Sequence, residues 1–143
     1  MARLLVFIFF ALSAPLFAAP PNILFFFADD QRYDTLSCAG HPIVQTPTID
    51  KLAADGVRFK NAFVTTSVCW VSRAVLFTGQ WARSHVQRNA VPQVRPEAAA
   101  TIYPVQLRQA GYTTAHFGKW HFKGPAGFKP EQQFDAFEQI GRS

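Results

Sequence analysis

Residues 22–30 read NILFFFADD, an unbroken apolar run that stops at two adjacent carboxylates, Asp29 and Asp30. A run of this length with no polar alternation is what a strand buried on both faces of a parallel sheet requires. In open α/β sheets ligands sit beyond the carboxyl ends of the strands. Asp29 and Asp30 therefore stand where a ligand would be met. Neighbouring carboxylates on an apolar strand repel each other and lose hydration unless a cation neutralises them. Hard carboxylate oxygens suit Ca²⁺ or Mg²⁺. The competing reading is a solvated turn, with an aspartate capping the helix that follows.

Working outward, strands and helices alternate. Thr46-Pro47 supplies a cap residue and a proline at the first helical position, and Gly56 closes the helix after KLAAD. Residues 57–64, VRFKNAFV, alternate as a strand does. Residues 72–78 and 104–110 read as short helices, the second stopped by Gly111, and residues 112–117 as a further strand leading into GKWHF. The fold class is α/β, with helices packed on a largely parallel central sheet. No internal repeat or low-complexity linker interrupts it.

The first 19 residues, MARLLVFIFFALSAPLFAA, form an export leader: Arg3 supplies a positive start, residues 4–12 are apolar, and the segment ends in Ala18-Ala19. The apolar stretch is short for a bilayer-spanning helix. The expected mature domain is 20–143, secreted or periplasmic, with no stable membrane span once the leader is removed. The chain has 143 residues and a formal net charge of +5. Its fourteen Lys and Arg are scattered singly rather than clustered into a basic stripe, which argues against a nucleic-acid partner. An exported chain with two cysteines, Cys38 and Cys69, also makes a disulfide a serious alternative for both.

Residues 66–79, TSVCWVSRAVLFTG, place a cysteine and an arginine where a loop becomes a helix, and residues 110–122 contain Lys119 and His121 after a strand. Taken together, the strand ending in Asp-Asp, CWVSRAVLFTG and AGYTTAHFGKWHF resemble the N-terminal part of the type I sulfatases of the alkaline-phosphatase-like superfamily. The resemblance runs from Pro21 to about Phe137 and includes the connector TPTIDKLAADGVRFKNAFV. It implies that Cys69 is converted to formylglycine, that Arg73 stabilises it, and that Lys119 and His121 contact the sulfate and the nucleophile. It also implies metal ligation by Asp29, Asp30 and the modified residue 69, with Ca²⁺ the expected ion and Mg²⁺ the alternative. The implied partners are a sulfated small molecule or glycan and the maturation enzyme that makes formylglycine.

The chemistry suits those residue types. A sulfate monoester carries anionic oxygens around a sulfur that an ordinary hydroxyl attacks poorly. A guanidinium, an ammonium and a divalent cation can neutralise charge as it redistributes. Arg offers a planar fork and Lys a point charge. The aldehyde hydrate has two hydroxyls, one to attack sulfur and one whose proton loss later expels sulfate. An imidazole is suited to that proton traffic. Residue 69 just before a helix N-terminus would also have backbone N–H donors at hand.

The chain departs from the family pattern in two ways. Val71 stands where the modification motif carries Pro or Ala. The chain also reads as the incomplete N-terminal portion of such an enzyme, the later metal ligands and active-site residues having no counterpart in it. Two other functions stay open at this point: an inactive remnant, or a metal-dependent phosphoryl or phosphonyl hydrolase of the same superfamily. His85 falls near a family histidine after the Thr-Gly turn and reads as a site contact or as a surface residue. His41 and His116 read as structural, and Trp70, Trp81 and Trp120 as packing around the site.

Overall fold

The computed structural model describes residues 19–87 and 93–141. The chain divides into two units, Met1–Arg32 and Tyr33–Ser143. The expected leader lies outside the described residues except for Ala19.

In the first unit, residues 22–28 are not in a strand, and all are exposed. This corrects the expectation drawn from their sequence. The rings of Phe25 and Phe27 stack at 5.9 Å and 17°, on one side of the chain, as the two-residue period of an extended segment demands. The segment ends in a bend at Asp29-Asp30, where Asp30 has φ 55°. Apolar continuity reports surface that is costly to leave in water; it does not supply the neighbouring strand that a ladder needs.

The second unit opens with a 3₁₀ turn, Ser37–Ala39, and helix α1, Pro47–Asp55, started by Thr46-Pro47 and stopped at Gly56 as the sequence indicates. Asp50 ties the two together. One carboxylate oxygen accepts the Cys38 N–H at 2.9 Å and the Thr46 hydroxyl at 2.9 Å, and the other accepts the Ser37 hydroxyl. These donors hold the Asp50 carboxyl below its ordinary range, the Ser37 hydroxyl contributing most. Residues 57–64 are exposed and not in a strand, a second correction with the same cause.

Helix α2, Cys69–Thr78, ends in a left-handed Gly79 (φ 66°) whose N–H bonds the Val75 carbonyl at 2.9 Å. A glycine adopts that conformation without a Cβ clash. Helix α3, Ala82–His85, leads into β1, Val86–Gln87, which pairs antiparallel with β2, Gln93–Val94. Two short helices follow, α4 at Pro96–Ala99 and α5 at Tyr103–Gln109, each with a proline in its first two positions. Strand β3, Ala115–Phe117, pairs in parallel with β4, Ala136–Glu138, in the register Ala115↔Ala136, His116↔Phe137, Phe117↔Glu138. The architecture is α/β. Its parallel sheet among the described residues is this two-stranded one rather than the broad central sheet the strand pattern suggests.

The core gathers Ala74 and Phe77 of α2, Val94, Ala98, Ala99, Ile102, and Trp120, Phe122 and Phe134. Phe77 is its hub: Tyr103 stacks on it at 4.9 Å and 10°, and Trp120 and Phe122 lie 4.6 and 5.6 Å away. Burying one such ring is worth about 1.5–3 kcal/mol. The cluster thereby fixes α2 against the segment that follows β3.

Candidate functional site

Cys69 is the first residue of α2, preceded by an extended Val68, so it starts the helix rather than preceding it. The Ser72 N–H is already bonded to the Val68 carbonyl at 2.8 Å. The N–H groups of residues 69–71 come before it and have no intrahelical acceptor. They are the donors a helix start presents to an anion. Cys69 is half-buried, and neither it nor Cys38 is in a disulfide.

Arg73 lies one turn further on, with 5% of its surface exposed. Its Nη1 donates to the backbone carbonyl of Lys119 at 2.5 Å. The arginine of the Cys-x-x-x-Arg segment is thus bonded to the backbone of the Gly-Lys-Trp-His segment, across 46 residues of sequence. A guanidinium held this way has little freedom left to lose when it meets an oxyanion.

The turn that carries Lys119 and His121 is shaped by the residues between them. Gly118 has φ 127°, beyond the ordinary reach of a side-chain-bearing residue. Its N–H donates to the Glu138 carbonyl at 2.9 Å. Trp120 and Phe122 are buried, and the Trp120 indole N–H donates to the Phe122 carbonyl at 2.9 Å. Lys119 and His121, which alternate with them, are only half-buried. His121 has φ 63°, and its Nδ1 is buried with no hydrogen-bond partner among the described residues. Left-handed backbone at a β-carbon-bearing residue is costly and clusters at functional positions. Asp30 and His121, the only non-glycine residues with positive φ among those described, are both candidate site residues.

Asp29 and Asp30 lie in the first unit, in the bend that closes the apolar run. Among the described residues no group of three or more His, Cys, Asp and Glu is arranged to hold a metal ion. The pair suits a hard cation in type but amounts to two of the six to eight oxygens Ca²⁺ takes.

Three aromatic readings change. His85 is fully buried, not a surface residue, and neither ring nitrogen has a hydrogen-bond partner among the described residues; burial lowers its pKa. Trp81 is exposed rather than packed around the site, whereas Trp120 is in the core. His116 is structural in the sense of being packed, yet it lies close enough to Arg73 for the guanidinium to disfavour its charged form.

The model of the sulfatase family matches residues 21–140, and the chain belongs to that family. The chain is 41% identical to human arylsulfatase A over 138 residues, covering 89% of this chain and 27% of that one. It is 35% identical to an N-acetylglucosamine-6-O-sulfatase of Bacteroides thetaiotaomicron, over 76% of this chain and 19% of that one. A solved structure from work on glycosaminoglycan metabolism by the same bacterium superposes with a TM-score of 0.70 at 36% identity, covering 84% of this chain and 28% of its own. A protein solved with its substrate D-glucosamine-2-N,6-O-disulfate superposes at 0.65 and 31% identity, over 82% of this chain and 22% of its own. The fold is accordingly that of the alkaline-phosphatase-like sulfatases, and the chain spans about a quarter of the length of these relatives.

Proposed function

We propose that this chain contributes the nucleophile and anion-binding groups of a formylglycine-dependent sulfatase, which hydrolyses sulfate monoesters of an aryl compound or glycan. The observation that carries the reading is the bond from Arg73 to the Lys119 carbonyl. It links the two segments whose residues the resemblance assigns to sulfate. Formylglycine at residue 69 would supply a hydrated aldehyde, with one hydroxyl for attack and one for release. Arg73 stabilises the oxyanion from a nearly dry position. Lys119 adds a mobile positive charge on the sulfate, and His121 moves the proton. The N–H groups at the start of α2 face the same oxygens. Asp29 and Asp30 are the carboxylates that would be offered to Ca²⁺ or Mg²⁺. Export by the leader at residues 1–19 would deliver the protein outside the cytoplasm.

Val71 in place of proline is compatible with this reading. As the third helical residue its N–H bonds no helical carbonyl, so a proline there would remove no helix bond. The test is peptide mass spectrometry across residues 68–73 after expression with a maturation system. The aldehyde is expected at residue 69 and in a larger fraction for Val71→Pro. In a full-length sulfatase that carries this segment, turnover of an aryl sulfate is expected to vanish in Cys69→Ala. Repeated turnover by a chain whose Cys69 is wholly unmodified would falsify the mechanism.

A further inference from the structure

His116 is the one inward-facing residue of β3, between the exposed Ala115 and Phe117. Its ring stacks on Phe137 of β4 at 5.2 Å and 16°, tilts against Phe134 at 5.3 Å, and meets Trp120 and Phe77 edge-on at 5.7 and 6.0 Å. Two residues further on, the Gly118 N–H donates to the Glu138 carbonyl of β4 at 2.9 Å. Gly118 is the residue whose positive φ turns the chain toward Lys119. The His116 Nε2 is buried and has no hydrogen-bond partner among the described residues. Four aromatic rings thus fix this imidazole on the N-terminal side of the turn, while Arg73 holds the turn's carbonyl.

We propose that His116 is a positioning residue for the candidate site: as a neutral ring wedged between β4 and the Trp120 cluster, it sets the Gly118–Lys119 turn at the height where Arg73 can hold it. The role rests on the sulfatase reading only in treating Arg73 and Lys119 as site residues. The neutral form is essential to it. A protonated ring would bury an unpartnered N–H⁺ at Nε2, which is costly, and would place a second cation beside the guanidinium. The charged and titratable groups on the surrounding elements are Arg73 on α2, Tyr103 on α5 (stacked on Phe77), Glu138 on β4, and Lys119 and His121 in the turn. Desolvation, and then the Arg73 charge, push the His116 pKa down. The neutral ring therefore prevails in the ordinary working range, and acid unseats it.

The test is a pH titration of the full 143-residue chain by NMR, following the His116 ring and the Arg73 side-chain N–H signals. The Arg73 signals are expected to shift with the same midpoint as His116, below the ordinary histidine value of about 6.5. In His116→Phe, which keeps the aromatic packing, that transition is expected to disappear from the Arg73 signals while spectral dispersion is retained. An Arg73 transition that persists unchanged in His116→Phe, or a His116 titration that leaves Arg73 unmoved, overturns the proposal. If His116→Phe does not fold, the wild-type midpoints decide alone, with His121→Asn removing the other imidazole of the turn. Turnover of 4-nitrophenyl sulfate, measured separately in a full-length sulfatase that carries this segment, bears on the sulfatase reading: coupling without turnover sinks that reading and leaves the positioning role standing, and turnover without coupling does the reverse.

Discussion

Two phenylalanine-rich regions of this chain have had opposite fates. Phe77, Phe122 and Phe134 lie in a closed cluster with Trp120, at most 6% exposed. Phe25, Phe26 and Phe27 of the first unit, and Phe59 and Phe63 of the second, are exposed, Phe26 at 81%. The residue type is the same, and so is the cost of wetting it. What differs is the chain around it. The cluster draws its rings from α2, α5, the segment that follows β3 and the residues just before β4, so each ring meets partners from several directions. The runs at 22–28 and 57–64 present their rings with no strand alongside among the described residues. Hydrophobicity states a demand for cover, and only topology meets it.

The largest effect that would break or sharpen this contrast is expected at Phe77. Phe77→Ala removes the hub of the cluster and should destabilise the second unit by about 3–5 kcal/mol, read by urea denaturation. Phe26→Ser, at an exposed position, should stay within about 0.5 kcal/mol. A cost for Phe26→Ser comparable with that of Phe77→Ala would mean that the exposed run is covered in solution, and the contrast would collapse.

Next in size is the backbone of the turn. His121 is held at φ 63°, which costs a β-carbon-bearing residue on the order of 1–2 kcal/mol. His121→Gly should therefore raise the denaturation midpoint slightly or leave it unchanged, while removing the proposed proton-transfer group. Marked destabilisation by glycine would show that the His121 side chain, not the site, keeps the turn in place.

The pH response follows from His85 and His116. Both have pKa values lowered by burial in the folded chain. Between those lowered values and the unfolded value of about 6.5 the unfolded chain binds more protons, so stability rises with pH across that window. It is lost as pH falls from about 6.5 and levels off below the folded values. Melting temperature against pH should show this slope, and the double variant His85→Leu, His116→Phe should flatten it. Asp50 and Asp135 act at lower pH: their pKa values are depressed, chiefly by bonds from Ser37 and from the Thr114 backbone, so their contribution is present above about 3.8 and is lost as pH falls below it. The smallest effect is expected at the Lys51–Asp55 pair on α1, 2.8 Å apart with both side chains mostly in water. Lys51→Ala should cost no more than about 0.5 kcal/mol.

Helix α1 was legible almost to the residue, because Thr46-Pro47 and Gly56 are local start and stop signals whose physics needs no partner. Helix α2 was legible in its end, at Thr78-Gly79, but begins at Cys69, three residues earlier than its apolar spacing suggested. No side chain caps that start; the helix is held there by packing of Val71, Arg73 and Ala74. The strand at residues 112–117 was found and shortened to Ala115–Phe117, since a strand persists only where its neighbour does. Lys119 and His121 stood out by motif. His116 did not, because a histidine inside a strand carries no local sign of what its ring will touch.

The sequence by itself determined where turns and caps fall, which segments are apolar, and which residues, Cys69, Arg73, Lys119 and His121, form a sulfatase's signature. Each of these depends on residues near one another in the chain or on the chemistry of single side chains. Tertiary structure alone decided that Arg73 reaches the Lys119 carbonyl, that His85 is sealed from water, and that His116 lies near that guanidinium. Those facts depend on which distant segments share a core. A guanidinium's partner 46 residues away is selected by the packing of Phe77 on Trp120, and no local pattern encodes that meeting.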